Sequence, residues 1–133
     1  YTVLAEGDDH QDPIADSARA ILDGHIVLSR TLADAGHYPA IDIEQSVSRV
    51  MINITSAEHR QDVQRFRQMY SLYRQNQDLI SVGAYQKGSD ARIDEAILFY
   101  PQLLQFLRQD VAESCDFAGS REALSALVEL QKK

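Results

Sequence analysis

The sequence has little cysteine and no long hydrophobic run. Cys115 is the only cysteine among 133 residues, so the chain cannot form an internal disulfide and offers no second thiol to a zinc site. This usage fits a reducing cytosol, and we expect Cys115 to be a buried thiol without a chemical role. No apolar run approaches the roughly 18 residues of a membrane span, and no signal peptide opens the chain. We therefore expect a soluble, cytoplasmic protein.

Basic residues are scarce relative to acidic ones. Lys and Arg number 13 against 20 Asp and Glu, which gives a formal net charge of -7. A chain with this charge repels phosphate backbones and anionic lipid, so nucleic acids and membrane surfaces are poor candidate partners. The four histidines show none of the spacings of a metal site, and we expect them to be surface or packing residues.

The first part of the chain alternates between strand-like and helix-like segments. The four segments are a strand at residues 1–5, a helix from Asp12 and Pro13 to Gly24 with an apolar stripe of Ile14, Ala18, Ile21 and Leu22, a strand at residues 25–29, and a helix at residues 30–35 closed by Gly36. So few short strands cannot form a self-sufficient sheet, and we expect them to complete a larger one. Because the chain opens inside a strand without an initiator methionine, we interpret it as a fragment of a longer protein.

The rest of the chain predicts long helices. Thr55 and Glu58 have the spacing of a capping box, and the helix that follows is expected to run to about Ser81. Its core face repeats at spacings of three and four residues and comprises Val63, Phe66, Tyr70, Tyr73, Gln77 and Ile80. The opposite side carries a stripe of arginines, Arg60, Arg67 and Arg74, with Arg65 nearby. Such a stripe is usually a solvated face, and its alternative role is to dock an acidic partner.

A second helix has a matching core face. Ser89 or Asp90 is expected to cap it after the loop at residues 83–88. Its apolar positions are Ile93, Ile97, Tyr100, Leu104, Leu107 and Val111. Two matched faces joined by a short loop predict an antiparallel helical hairpin, with a kink or a break into two helices at Pro101. A last helix is expected to start at Gly119 and Ser120 and to pack onto the hairpin through Leu124, Leu127 and Val128.

The predicted fold is mainly α, with an α/β segment at residues 1–51 and a helical domain at residues 52–133. A phosphate-binding loop needs a lysine directly after the second glycine of a Gly-x4-Gly pair. Gly83 and Gly88 have that spacing, but Ser89 occupies the lysine position, so we interpret the segment as a hairpin loop. The chain alone is therefore expected to hold no nucleotide cofactor and to hydrolyse no ATP.

Several sequence motifs resemble one protein family. They are YPAID at residues 38–42 followed by Ser46, Ser48 and Arg49, together with LAEGDD at 4–9, LDGHIVLSR at 22–30 and GAYQKGSD at 83–90. The combination resembles the flagellar and virulence type III secretion ATPases, which are related to the catalytic subunits of rotary ATP synthases. The resemblance extends through most of the chain. It implies the last α/β elements of a RecA-like P-loop ATPase core followed by a C-terminal helical hairpin or bundle.

The resemblance implies a catalytic role for Arg49. In this family the corresponding arginine resembles an arginine finger, which reaches across a subunit boundary to the γ-phosphate bound by the neighbouring subunit. A planar and permanently charged guanidinium suits the charge that spreads over the phosphoryl oxygens in the transition state. The alternatives from the residues alone are that Arg49 caps a helix or pairs with Asp42 or Glu44.

The resemblance also implies adenine-contacting residues. Tyr38 is similar to a tyrosine that stacks on the adenine of its own subunit's nucleotide, and its alternative role is a turn residue packed on the sheet. Phe117 is similar to an aromatic residue that completes the adenine pocket, and its alternative role is that of a core residue. Val111 occupies the position where the rotary enzymes place a second aromatic, which implies a looser pocket.

The family further implies the setting of the complete protein. The parent would hydrolyse ATP with Mg²⁺ as a homohexameric ring at the cytoplasmic face of the export gate, and would bind a stalk protein and export chaperones. The competing hypothesis is a non-enzymatic helical adaptor that binds partner proteins and never contacts nucleotide. The α/β segment discriminates against that hypothesis, because a self-contained adaptor has no use for an isolated strand at residues 1–5.

Overall fold

The computed structural model describes Val3 and residues 12–130, and the chain divides into two compact units. We call Tyr1–Ile54 the N-terminal unit and Thr55–Lys133 the helical unit. Most of the described residues are helical, so the predicted mainly α fold is confirmed. The elements are α1 (Pro13–Ile21), β1 (Gly24–Leu28), α2 (Arg30–Asp34), β2 (Ile41–Ser48) and α3 (Met51–Ile54), followed by α4 (Ala57–Ser81), α5 (Ala91–Leu107) and α6 (Phe117–Leu130). The domain boundary between residues 51 and 52 stays a prediction.

Both longer helices of the N-terminal unit begin at the residues that their caps predict. The Asp12 side chain accepts a hydrogen bond from the amide two residues on, and Pro13 opens the first turn of α1. Ser29 caps α2 in a similar way, and Gly36 beyond its end has a φ of 68°, a conformation that favours glycine. The strand predicted for residues 1–5 lies outside the described residues except for Val3, which is exposed and not in a strand.

The strands β1 and β2 pair as a two-stranded antiparallel sheet. The first confirms the strand predicted at residues 25–29. The second was not predicted, because the Tyr-Pro turn and the mixed polar composition after it indicated only a junction. The alternation of Ile41, Ile43 and Val47 with polar residues is the signal that identifies a half-buried strand there.

The apolar side chains of the N-terminal unit are largely exposed. On α1, Ala15 is buried, but Ile14 and Ile21 of the predicted stripe are 77% and 84% exposed, so the described part of this unit does not cover the stripe. On β1 only Val27 is buried, and Leu28 beside it is exposed. A two-stranded sheet offers too little surface to cover these residues.

The helices α4 and α5 form the predicted antiparallel hairpin. The buried rings of Phe66 and Tyr70 contact Phe106 and Tyr100, with ring centroids 5.4 and 5.9 Å apart. The order of these contacts along α5 is the reverse of their order along α4, which makes the hairpin antiparallel. Leu103 is fully buried in the same core.

The first turn of α4 differs from the prediction by one residue. The Ser56 hydroxyl accepts a hydrogen bond from the amide of His59 at 3.2 Å, so Ser56 is the cap. The expected capping box of Thr55 and Glu58 is therefore wrong, because His59 stands three residues after the true cap. The carbonyl of Thr55 instead accepts a hydrogen bond from the guanidinium of Arg60.

The helix α5 starts at its predicted cap and continues through its proline. Asp90 caps the helix through a hydrogen bond to its carboxylate from the amide of Arg92, and Pro101 lies inside one continuous helix. The alternative of two separate helices is therefore wrong. At the other end α5 stops at Leu107, which leaves Val111 outside the helix and outside its predicted core face.

The last helix, α6, starts two residues earlier than predicted, because the Asp116 carboxylate accepts the amide of Gly119 at 2.8 Å. Its predicted core residues are all buried, namely Leu124, Leu127 and Val128. A polar contact joins α6 to α4, since the Ser125 hydroxyl donates to the buried carboxylate of Asp62 at 2.6 Å.

Cys115 is exposed, so its expected burial is wrong. It lies in the surface segment before α6.

In the part of the chain that the structure describes, no helix combines the length and the apolar character needed to cross a bilayer.

Candidate functional site

Arg49 directly follows β2 and extends its side chain to the end of α1. Its amide donates to the Asp23 carbonyl at 2.8 Å. Its guanidinium donates to the carbonyls of Ala20 at 2.9 Å and Arg19 at 3.2 Å. Carbonyls in the last turn of a helix lack intrahelical partners and carry partial negative charge, so a cation stabilises them. Of the alternatives left open by the sequence, the structure therefore shows Arg49 as a helix cap.

The same guanidinium pairs with neither of the nearby acidic residues. The Asp42 carboxylate accepts the amides of Glu44 and Gln45 at 2.9 and 3.0 Å. Within the described ranges, no carboxylate lies at ion-pair distance from Arg49. An arginine has five N–H donors, and two of them bind the α1 carbonyls. Arg49 is thus an exposed cation with a defined position and unused donors.

The strand that precedes Arg49 contains a large bulge. On β1, His25 and Val27 lie opposite Val47 and Asp42, so four residues of β2 stand against one residue of β1. We call residues 43–46 the β2 bulge. The bulge lies between Tyr38 and Arg49 in the sequence, within the segment that carries both predicted contact residues.

The Ser46 hydroxyl closes the β2 bulge. It accepts a hydrogen bond from the amide of Val27 at 2.9 Å and donates to the carbonyl of Asp42 at 2.6 Å. The Ser46 side chain thereby links the bulge to β1, while the Asp42 carboxylate holds the amides of Glu44 and Gln45 within it. In the sequence Ser46 is identifiable only as a motif residue, because its role depends on the register of β2 against β1.

Tyr38 lies in the loop between α2 and β2, and its peptide bond to Pro39 is cis. The side chain is 57% exposed, whereas the preceding His37 is buried. The ring therefore faces mainly solvent, which does not match a turn residue packed on the sheet. An exposed aromatic face can stack on a planar ligand such as a purine.

Phe117 is the first residue of α6 and is 71% exposed. The alternative of a core residue is therefore wrong for the described structure. Its ring contacts that of His59 on α4, with centroids 6.0 Å apart and planes inclined by 52°. The Nδ1 atom of His59 is buried and makes no hydrogen bond. This contact holds one face of Phe117 and leaves most of the ring accessible.

Val111 is fully exposed in the segment between α5 and α6. Local hydrogen bonds explain why the helix does not reach it. The amide of Asp110 donates to the side chain of Glu113, and the side chain of Asp110 accepts the amide of Ala112. Such bonds compete with helical ones. No contact between Val111 and Phe117 is seen, although both residues lie in the helical unit. Arg49 and Tyr38 lie in the N-terminal unit.

The hairpin tip is held by a network of hydrogen bonds. The hydroxyl of Tyr85 donates to the Asp94 carboxylate at 3.0 Å, and that carboxylate also accepts the amide of Gly88 at 2.8 Å. Beside them, the hydrogen bond from the Arg92 side chain lowers the pKa of Asp90 and raises that of Arg92. The tip is consequently a defined loop that exposes Lys87 to solvent.

The arginines of α4 have contacts within the helical unit. Arg65 forms a partly exposed ion pair with Glu95 of α5 at 2.5 Å, so it links the two helices of the hairpin. Arg74 donates to Gln77 at 3.0 Å and Arg60 to the Thr55 carbonyl. No group of three or more His, Cys, Asp or Glu side chains among the described residues could hold a metal ion.

Two family models match the chain in succession. The nucleotide-binding domain of the ATP synthase alpha/beta family matches residues 1–48, and the T3SS EscN ATPase C-terminal domain matches residues 55–126. The order of the matches defines the class of protein, in which part of a nucleotide-binding ATPase domain precedes a helical C-terminal domain. The chain belongs to the family of flagellum-specific and type III secretion ATPases, as its motifs predict.

Individual relatives agree with this assignment. The flagellum-specific ATP synthase of Pseudomonas aeruginosa is 60% identical over 128 residues, covering 96% of the chain and 28% of the relative. The assembled ATPase EscN of the enteropathogenic E. coli type III secretion system has a TM-score of 0.90 at 40% identity, covering 96% of this chain and 31% of EscN. EscN in complex with its central stalk EscO has a TM-score of 0.81 at 38% identity, with coverages of 87% and 29%. The chain thus spans less than a third of the length of these relatives.

Proposed function

We propose that the chain is the C-terminal part of an ATPase that energises flagellar or type III protein export. The names of its relatives support the activity, and the chain spans about 28% of the first of them. In this proposal the parent hydrolyses ATP with Mg²⁺ as a homohexamer on the cytoplasmic side of the export gate. The Mg²⁺ and phosphate ligands belong to parts of the parent outside this chain, because no Walker A motif occurs in residues 1–133.

The proposed catalytic contribution of this chain is Arg49, which acts on the nucleotide of the neighbouring subunit. The observation that carries this proposal is the environment of its guanidinium: two backbone carbonyls hold it, and no carboxylate among the described residues neutralises it. A cation held in this way requires little rearrangement to meet developing negative charge. Contact in trans would also make hydrolysis depend on ring assembly.

We further propose that Tyr38 and Phe117 contact adenine. Both rings are more than half exposed, so each can offer a face to a purine without unpacking a core. Val111, whose side chain is fully exposed, is proposed as a further residue near the adenine that adds no ring. Replacing Tyr38 with Ala is expected to raise the KM for ATP more than it lowers kcat, because adenine stacking acts equally in the ground state and the transition state.

A complementation experiment in the full-length protein tests the role of Arg49. Arg49→Ala is expected to reduce kcat by about 10³-fold or more, the range known for arginine fingers. Arg30→Ala, which removes another exposed arginine of the N-terminal unit, serves as the control and should retain normal turnover. Mixed rings of Arg49→Ala subunits and subunits that lack the phosphate-binding lysine should regain activity, because one subunit then supplies the arginine and the other an intact nucleotide site.

Each result is decisive for a different part of the proposal. Near-normal turnover of the Arg49→Ala ring would refute the finger. Loss of turnover without recovery in mixed rings would place the arginine at the nucleotide of its own subunit. The isolated 133-residue chain should release no phosphate from ATP above background, and measurable release would contradict its assignment as a fragment without its own phosphate-binding loop.

The helical unit is proposed to dock a stalk protein or export chaperones. EscN, a structural relative, is described in complex with its central stalk, and the tip of the hairpin presents Lys87 on a loop held by Tyr85 and Asp94. Charge reversal of Arg60, Arg67 and Arg74 together, and separately of Lys87, should weaken binding of the two partners in a pull-down with purified proteins. Unchanged binding by both variants would refute the docking role. The hairpin would then contribute only to the structure of the hexameric ring.

A further inference from the structure

We propose that Ser46 is a positioning residue for Arg49, because its hydroxyl determines where β2 delivers the arginine. This inference rests on the proposed role of Arg49 in phosphoryl transfer and adds a second residue to it. Ser46 would not touch nucleotide. By holding the β2 bulge, Ser46 would set the position of the strand end and of Arg49. Arg49 in turn would neutralise charge on the transferred phosphoryl group.

Ser46 lies between two regularly paired parts of the sheet. On one side of it β1 pairs regularly with Val47 and Ser48, and on the other side it pairs with Ile41 and Asp42. The Ser46 hydroxyl bridges β1 and the start of the bulge, through Val27 and Asp42 at 2.9 and 2.6 Å. The Asp42 carboxylate holds the amides of Glu44 and Gln45 within the bulge but, among the described residues, makes no bond to β1. Without this bridge, the four bulged residues could rearrange and let the two parts of β2 shift relative to each other.

Gly24 constrains the end of β2 that follows Ser46. Gly24 of β1 lies so close to β2 that a Cβ atom at this position would stand 2.6 Å from the carbonyl oxygen of Val47. That carbonyl belongs to the backbone and cannot move without shifting β2. The close approach therefore fixes the distance between β1 and the last residues of β2, which directly precede Arg49.

The contacts of Arg49 depend on where the end of β2 lies. The Arg49 amide binds the Asp23 carbonyl, and its guanidinium spans the carbonyls of Ala20 and Arg19. All three acceptors lie on the chain that leads into Gly24. A shift of β2 by one residue or less would therefore separate the guanidinium from both helix carbonyls at once. A displacement near 1 Å can reduce catalysis by about 100-fold when a group must be oriented.

The experiment measures kcat and KM for ATP in full-length rings. Ser46→Ala is expected to lower kcat by roughly 10- to 100-fold and to leave KM nearly unchanged, because the arginine acts on the transition state. Ser46→Thr retains the hydroxyl and should recover most of the loss. Ser48→Ala removes an exposed hydroxyl from the same strand and should behave as wild type. Equal losses in the Ala variants at both serines, or no recovery with Thr, would overturn the proposal.

A double variant shows whether the effect passes through Arg49. Ser46→Ala added to Arg49→Ala should reduce kcat no further than Arg49→Ala alone, because there is then no arginine to position. A multiplied loss would assign Ser46 an independent structural role and overturn the inference. Should Ser46→Ala fail to assemble, Gly24→Ala provides the second test. It should lower kcat with an unchanged KM and also show no further loss in the Arg49→Ala background.

The two proposals fail in different ways. A normal kcat for Arg49→Ala refutes the finger and with it the positioning role. A large loss for Arg49→Ala together with a normal kcat for Ser46→Ala and Gly24→Ala refutes only the positioning role and leaves the finger in place.

Discussion

Ile21 in the N-terminal unit and Leu103 in the helical unit are both aliphatic residues on helices, but the first is 84% exposed and the second is fully buried. The difference extends to the units as wholes. Three helices of the helical unit enclose aromatic and aliphatic side chains between them. Among the described residues of the N-terminal unit, the sheet has two strands and one buried valine, Val27. The comparison teaches that one unit contains its own core and the other presents surfaces that suit further packing.

Separating the units should give the largest effect. A chain of residues 55–133 is expected to keep its helical circular dichroism and to melt cooperatively, because its core lies within those residues. A chain of residues 1–54 should show no cooperative transition, since it buries little apolar surface. A cooperative melt of residues 1–54 would mean that the exposed isoleucines are packed in solution. The two units would then not differ in whether they contain a core of their own.

Removing core volume is the next test. Leu103→Ala should lower the free energy of unfolding of the helical unit by about 2–5 kcal/mol, because the side chain is fully buried and leaves a cavity. Leu98→Ala on the same helix is the matched control, and its exposed side chain predicts a change within about 0.5 kcal/mol. Urea unfolding followed by circular dichroism measures both. A similar loss from Ile21→Ala would show an unrecognised core in the N-terminal unit.

A polar contact within the helical core predicts a smaller effect. Ser125→Ala removes the hydroxyl that donates to the buried carboxylate of Asp62, and leaving that group short of a partner should cost about 1–3 kcal/mol. Ser81→Ala, which removes an exposed hydroxyl bonded within its own helix, controls for loss of a serine. If the two variants unfold at the same urea concentration, the contact does not contribute to the packing of α6.

The smallest expected effect is a pH dependence at the hairpin tip. The side-chain hydrogen bond from Arg92 lowers the pKa of Asp90 in the folded state below its ordinary value of 3.8. A lowered pKa in the folded state means that the stabilisation is present above pH 3.8 and is lost as pH falls through the lowered pKa. Arg92→Ala should therefore melt slightly below wild type at neutral pH, and the two melting temperatures should converge in strong acid. A difference in melting temperature that persists once Asp90 is protonated in strong acid would refute the electrostatic origin.

The long helices were largely predictable because each carries local signals along its own sequence. The end of α4 at Ser81, the Asp90 cap of α5 and the core residues of α6 all follow from periodicity and capping. Val111 shows the limit of that reasoning. Its spacing continues the core face of α5, but the hydrogen bonds of Asp110 end the helix before reaching it. Periodicity predicts which face is apolar and says less about where the helix stops.

The site residues were predictable only as types and motifs. The Ser-x-Ser-Arg motif identified Arg49, and the Tyr-Pro motif identified Tyr38. Neither motif indicated that the guanidinium would bind the carbonyls of Arg19 and Ala20, thirty and twenty-nine residues away in the chain. Such contacts depend on the pairing of β1 with β2, which sequence reasoning did not detect because it found only one of the two strands.

By itself, the sequence determined the family, the helical hairpin and the identity of the candidate contact residues. These properties are carried by motifs and by helical spacing, which depend on residues close together in the chain. Only the tertiary structure decided that Arg49 caps α1, that Ser46 closes the β2 bulge, and that Phe117 is exposed against His59. The physical reason is that each of these contacts joins segments that are distant in the chain, so strand register and helix packing place them.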